Sequence, residues 1–275
     1  MPELPEVETV MRGLESHLTG HKIADVTLRR AAIRKPVPPD LPHLLTGAKI
    51  LSFRRRGKFI LMRLDHGWSL LIHLGMSGRI LLDKPEAPHE HLTLTTSAGH
   101  RMGFVDPRRF GLLDLVRTAA EDESPWLREM GPEPLGNGFS GASLAVACAG
   151  KTAPIKTVLL DQHVVAGIGN IYASEALFRA GISPLRAAGK ISAPRLEKLA
   201  QEVRATLLEA IQAGGSSLRD YVQPSGELGY FQHAWKVYAR AGEPCAHCPG
   251  MPPCAGIKKV TQAGRSSFYC PQTQR

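Results

Sequence analysis

Near the start of the chain, Val7, Val10, Met11, Leu14 and Leu18 recur at intervals of three and four residues, which predicts an amphipathic helix running almost from the N-terminus. Residues 31–42 carry prolines at 36, 38, 39 and 42 and read as a loop. The apolar spacing then changes. KILSF, KFILMRL, WSLLIHL and RILL are short runs cut by Gly57, by Asp65-His66-Gly67 and by Ser77-Gly78. HLTLTT and HRMGFVD follow, split by Ala98-Gly99. Short runs separated by turn residues predict an antiparallel sandwich or barrel-like sheet. Residues 131–141 (GPEPLGNGFSG) read as a linker. Helical spacing returns in IKTVLLDQ, NIYASEALFRA and PRLEKLAQEVRATLLEAIQA, the last with a stripe of Leu196, Leu199, Val203, Leu207 and Ile211 ended by Gly214-Gly215. The Gly- and Ser-rich stretch 214–232, with Pro224, predicts a long loop, and loops of that length are usually functional or disordered.

Composition adds a partner to this outline. The 275 residues suffice for about two domains. Lys plus Arg outnumber Asp plus Glu by 34 to 25, a net charge of +9, which favours a polyanionic partner such as nucleic acid. A generic basic protein has the same balance, so charge alone does not choose. No run of 18 apolar residues is present, so no membrane span is expected. The acidic, proline-bearing start MPELPEVETV does not read as a secretory signal, which predicts a cytoplasmic location.

Of the five cysteines, Cys148 stands alone, whereas Cys245, Cys248, Cys254 and Cys270 crowd the tail. In a reducing compartment such clustering favours a metal over disulfides. A C-x2-C pair sets two thiolates on one knuckle, as tetrahedral zinc requires, and such pairs usually face a second one. Here position 273 is Thr where the second pair would end. Cys254 is the candidate for the missing ligand; His247 on the knuckle, or a hairpin without metal, are the alternatives. The tail also carries Lys236, Arg240, Lys258, Lys259, Arg265 and Arg275 against Glu243. So short and basic a segment buries little core, and a structural metal would supply its folding energy.

The N-terminus offers chemistry. Met1 precedes a small residue, so its removal is expected, leaving the secondary amine of Pro2. An α-amino group titrates near ~8, so much of it is neutral and nucleophilic at physiological pH. Glu3 stands next to it to move protons, with Glu6 and Glu8 behind. Glu3 also suits a helix N-terminus on charge grounds alone.

MPELPEVETV, HLGMSGR, DPRRFG, GPEPL, VVAGIGNIYASEALF and GRSSFYC, in this order and spacing along the whole chain, resemble the sequence blocks of the formamidopyrimidine-DNA glycosylases, bacterial repair enzymes for 8-oxoguanine and ring-opened purines. The resemblance implies an α+β multidomain fold: an N-terminal antiparallel β-sandwich with flanking helices (1–132), a linker (133–150), a helix-two-turn-helix domain (151–235) with a lesion-reading loop at 214–232, and a zinc-type β-hairpin (236–275). It implies a bifunctional glycosylase and abasic-site lyase acting on damaged double-stranded DNA as a monomer, with one structural zinc held by Cys245, Cys248, Cys254 and Cys270. Pro2 matches the family's Schiff-base nucleophile and Glu3 its general acid. Lys58 matches a lysine assigned to β-elimination and phosphate binding, and Arg265 an arginine assigned to δ-elimination. His89, Arg108 and Lys151 match DNA contacts, Lys156 and Asn170 phosphate-binding positions. Pro154 is an apparent insertion that shifts the register near Lys151. Met76, Arg108 and Phe110 match the residues that refill the stack once a damaged nucleotide is extruded; by residue type alone, Met76 and Phe110 read rather as core residues and Arg108-Arg109 as a surface pair. Two rivals share much of this pattern: the sister enzyme endonuclease VIII, which prefers oxidised pyrimidines, and a catalytically dead relative that senses damage.

Overall fold

The computed structural model describes residues 1–216, 229–248 and 254–275. They form two compact units, Met1–Glu129 with Ile211–Gln232, and Met130–Ala210 with His233–Arg275.

In the first unit, helix α1 (Leu4–Leu18) opens at once because Pro5 is tolerated in a first turn and the Glu6 carboxylate takes the Glu3 backbone N–H at 2.8 Å. Gly20, at φ +86°, turns the chain out of it. Eight strands follow: β1 (Ile23–Leu28), β2 (Ile50–Arg56), β3 (Phe59–Leu64), β4 (Trp68–His73), β5 (Arg79–Leu82), β6 (Glu90–Thr96), β7 (Arg101–Val105) and β8 (Leu112–Arg117). They make two antiparallel four-stranded sheets, ordered β1-β6-β7-β5 and β2-β3-β4-β8. Alternation directs Ile60, Met62, Leu70 and Ile72 of one sheet and Leu92, Leu94, Met102 and Phe104 of the other into a single core, with Val7, Val10, Leu14 and Leu18 of α1 packed on it. This is the antiparallel sandwich that the apolar runs predict. Strands β1 and β8 lie outside those runs, and a short helix, α2 (Leu41–Leu45), begins inside the expected loop, where Pro42 is accepted because it falls in the first turn. A carboxylate braces the second sheet: Glu121 accepts from Arg54, Arg63 and Ser69 on β2, β3 and β4.

The second unit is helical. Helix α3 (Gly141–Cys148), capped by Ser140, lies within the stretch expected to be linker, and α4 (Ile155–Leu160), α5 (Asn170–Arg179) and α6 (Ala193–Gln212) follow. Residues 134–139 are not loose: Arg204 of α6 donates to the carbonyls of Pro134, Gly136 and Phe139. Their Gly and Pro content hides this, because the anchor lies far away in sequence. The buried carboxylate of Glu175 on α5 takes the backbone N–H groups of Lys236, Val237 and Tyr238 at 2.8–3.0 Å, which fixes the chain entering the tail. The tail forms the hairpin β9 (Lys258–Gln262) and β10 (Arg265–Tyr269), turned by Ala263 and Gly264 at positive φ. No described helix is long and apolar enough to cross a membrane. Of the expected lesion-reading loop, residues 217–228 lie outside the described residues.

Candidate active site

Pro2 and Glu3 lie buried at the mouth of α1, while Met1 is exposed. Lys58, 7% exposed, follows Gly57 in the turn of the β2–β3 hairpin. One carboxylate joins these two elements: Glu8 of α1 accepts from Arg55 of β2 at 2.7 Å and from Arg12 at 2.9 Å. Glu8 is therefore a brace between helix and hairpin, and Glu6 caps α1 and also receives the Ser216 N–H at 2.8 Å. His73, absent from the expected set, belongs to the same cluster. Its ring lies 4.7 Å from that of Phe59, and its Nδ1 accepts the Gly75 N–H at 3.0 Å. Burial, reinforced by the charges of Lys58 and Arg34, lowers its pKa to about 4, so the imidazole is neutral at physiological pH. Its only trace in the sequence is a polar residue ending an apolar strand.

Met76 and Phe110 stand 40% and 41% exposed, so neither is a core residue. They sit on the β4–β5 and β7–β8 loops, which touch backbone to backbone: a Cβ on Gly75 would fall 2.4 Å from the Phe110 carbonyl carbon. Arg108 lies over the Phe110 ring, 5.0 Å from its centroid. The three residues expected to refill a stack thus form one projecting group. Beneath them, Asp106 is fully buried and accepts from Ser77 Oγ at 2.8 Å and from the Gly111 N–H at 2.7 Å. Beside them, Arg30, His89, His91, Pro107 and Arg109 line a cavity of about 200 Å³, a cationic hollow of the kind that suits phosphate. His89 and Arg109 have φ of 65° and 58°, a conformation that costs a non-glycine residue roughly 1–2 kcal/mol and that the bonds around Asp106 must offset. Arg30 stands in no motif that marks it, and Arg109, though inside the DPRRFG block, has no role assigned there.

In the second unit, Lys151 is exposed and Asn170 is the first residue of α5, as expected. Lys156 is 1% exposed and donates to Ser266 O at 2.9 Å and Ser267 Oγ at 2.8 Å. Asn170 Nδ2 donates to the same Ser266 carbonyl at 2.9 Å. Both residues therefore hold β10 at the point where the exposed Arg265 leaves the hairpin turn. The burial of Lys156 is not legible in the sequence, because it depends on a strand 110 residues away.

The sulfurs of Cys245, Cys248, Cys254 and Cys270 all lie within 4.8 Å of one another, so these four residues fit a tetrahedral metal ion. His247 is stacked on Phe178, with 4.9 Å between ring centroids. Thr273 stands beside the thiols, its Oγ1 3.5 Å from Cys245 Sγ and its N–H donating to Cys270 Sγ at 3.5 Å. Cys254 brings the fourth sulfur to the group, and Thr273 hydrogen-bonds to the other three.

Residues 1–113 match the family model for the formamidopyrimidine-DNA glycosylase N-terminal domain, and residues 130–222 that for the formamidopyrimidine-DNA glycosylase H2TH domain. The formamidopyrimidine-DNA glycosylase of Acidiphilium cryptum is 60% identical over 275 residues, covering all of both chains, and that of Paracoccus denitrificans is 52% identical over 287, also covering both. The crystal structure of the MutM (Fpg) protein from Thermus thermophilus superimposes with a TM-score of 0.88 at 40% identity, covering 99% of this chain and 98% of that one. A Lactococcus lactis Fpg variant in complex with DNA containing Fapy-dG superimposes with a TM-score of 0.90 at 33% identity, with both chains covered in full. With its sandwich, its helical unit, its cysteine hairpin and these relatives over its whole length, the chain belongs to the formamidopyrimidine-DNA glycosylase family.

Proposed function

We propose that this protein is a bifunctional DNA glycosylase and abasic-site lyase that removes oxidised purines, 8-oxoguanine and formamidopyrimidines, from duplex DNA in the bacterial cytoplasm. The observation that carries the reading is the exposed Met76–Arg108–Phe110 group, held in the same unit as Pro2, Glu3 and Lys58.

In this reading the reaction runs in a defined order. Lys151, His89 and the cationic hollow engage phosphates, and Met76 and Phe110 enter the space vacated by the extruded nucleotide while Arg108 bonds the base left unpaired. Once Met1 is removed, the Pro2 nitrogen attacks C1′ of the sugar, and the glycosidic bond breaks as Glu3 manages the proton. The iminium formed between Pro2 and the opened sugar acidifies its C2′ hydrogen. Loss of that proton and of the 3′ phosphate is β-elimination; loss of the 5′ phosphate is δ-elimination. Lys58 and Arg265 stabilise the phosphates as they leave. His73 adds a neutral imidazole beside Lys58, able to donate a hydrogen bond without competing for its proton. Cys245, Cys248, Cys254 and Cys270 would hold one structural zinc, whose contribution is the fold of the hairpin that presents Arg265.

Borohydride reduction during turnover of a duplex with 8-oxoguanine opposite cytosine is expected to trap DNA on the N-terminal proline. Mass spectrometry showing the adduct on a lysine, or Met1 retained in fully active protein, overturns the mechanism. A parallel duplex with thymine glycol is expected to be cut more slowly, and the reverse order would assign the chain to oxidised pyrimidines.

A further inference from the structure

The two loops that carry Met76, Arg108 and Phe110 are fastened to each other through one residue that does not itself reach the surface. Asp106 is 0% exposed. Its Oδ1 accepts from Ser77 Oγ, next to Met76 on the β4–β5 loop, and its Oδ2 accepts from the Gly111 N–H, next to Phe110 on its own loop. Ser77 Oγ accepts in turn from the Arg108 N–H at 3.3 Å, which closes a ring of bonds from one loop to the other and back. The Asp106 backbone is held as well: its carbonyl accepts from His91 Nε2 at 2.8 Å and its N–H donates to the His89 carbonyl at 3.0 Å. Packing leaves the ring no slack, since a Cβ on Gly111 would fall 2.9 Å from Asp106 Oδ2. Two apolar side chains stand in solvent above this ring, a placement that their own burial would oppose.

We propose that Asp106 is a positioning residue that locks the two loops into a single rigid wedge, so that opening of the base stack, and not the chemistry at Pro2, depends on it. The inference rests on the reading of Met76, Arg108 and Phe110 given above. A wedge must resist the stacking energy it displaces, and two loops free to move apart would yield instead. The side chain must offer an acceptor to the Gly111 N–H and a partner to the Ser77 hydroxyl. Asparagine meets both needs, because its carbonyl can face Gly111 while its amide donates to Ser77 Oγ. Alanine meets neither and leaves buried groups without partners. Hydrogen bonding and negative charge can therefore be separated.

The experiment uses the full-length, zinc-loaded protein as wild type, Asp106→Ala, Asp106→Asn and Ser77→Ala. Single-turnover excision is followed on an 8-oxoguanine duplex with 2-aminopurine next to the lesion, whose fluorescence reports stack opening. Borohydride trapping is measured on a single-stranded oligonucleotide with an abasic site, where no stack has to be opened. Asp106→Ala is expected to slow duplex excision about a hundredfold, the scale of an ångström-sized misplacement, and to abolish the fluorescence change. Trapping on the single strand is expected to stay within about twofold, and Asp106→Asn to stay near wild type in both assays. Ser77→Ala, which leaves Gly111 satisfied, is expected to lie between and keeps the test alive should Asp106→Ala not fold. Equal losses on duplex and single strand, an Asp106→Asn as impaired as Asp106→Ala, or a Ser77→Ala indistinguishable from wild type each overturn the proposal. Wild-type protein that traps neither substrate overturns the functional reading itself, and the wedge with it.

Discussion

His73 shows how far a single residue's chemistry is set by its surroundings. Its ring sits against Phe59, takes a backbone N–H on Nδ1 and lies beside the charge of Lys58. Burial first, then Lys58 and Arg34, depress its pKa from 6.5 to about 4. Between these values the unfolded chain binds a proton that the folded one refuses, so stability from this residue is complete above pH 6.5 and declines as pH falls toward 4. The melting temperature of wild type is therefore expected to drop more between pH 7.5 and 5 than that of His73→Asn, measured side by side at equal ionic strength. Parallel pH profiles would show that His73 titrates normally. Other site residues are equally dependent on context: Pro2 is an ordinary residue until Met1 leaves, and Met76 and Phe110 take on their reading only because they are exposed.

Among the elements, the tail hairpin depends most on something beyond its own side chains. The tail contributes Val237, Ile257, Phe268 and Cys270 to a small core with Phe178. Three thiols come from positions that a C-x2-C framework anticipates, and the fourth, Cys254, lies just past residues 249–253, which are outside the described residues. Cys254→Ser is expected to lower bound zinc at least tenfold under chelator competition, with a lower melting temperature, because metal binding and hairpin folding are one process. Thr273→Ala, which removes only the hydroxyl's hydrogen bonds to the sulfurs, is expected to keep one equivalent of zinc. Equal zinc in wild type and Cys254→Ser would assign the fourth ligand elsewhere.

For the whole molecule the relevant quantity is charge. A net +9 favours a polyanion through released counterions, and on duplex DNA each phosphate contact adds about 0.9 to the steepness of log K against log salt. Exposed and buried lysines must then behave differently. Lys151→Met is expected to reduce that slope by about one. Lys156→Met is expected to leave it unchanged, because the Lys156 ammonium is spent on Ser266 and Ser267. A reduced slope for Lys156→Met, measured by fluorescence anisotropy over a salt series, would return Lys156 to the phosphate contacts.

The amino-acid order determined by itself whatever depends on neighbours: α1 and α6 from apolar spacing, six of the strands from short runs between turn residues, the cysteine cluster from its spacing, the candidate nucleophile from its place behind Met1. Periodicity and turn chemistry act within a few residues, so a linear reading finds them. The tertiary structure decided what distance hides. It drew 134–139 onto α6 through Arg204, buried Lys156 against β10, turned His247 to Phe178, and set Asp106 beneath two loops some thirty residues apart in the chain. In each case a polar group is satisfied by a partner remote in sequence, and whether that partner arrives is settled only when the chain packs.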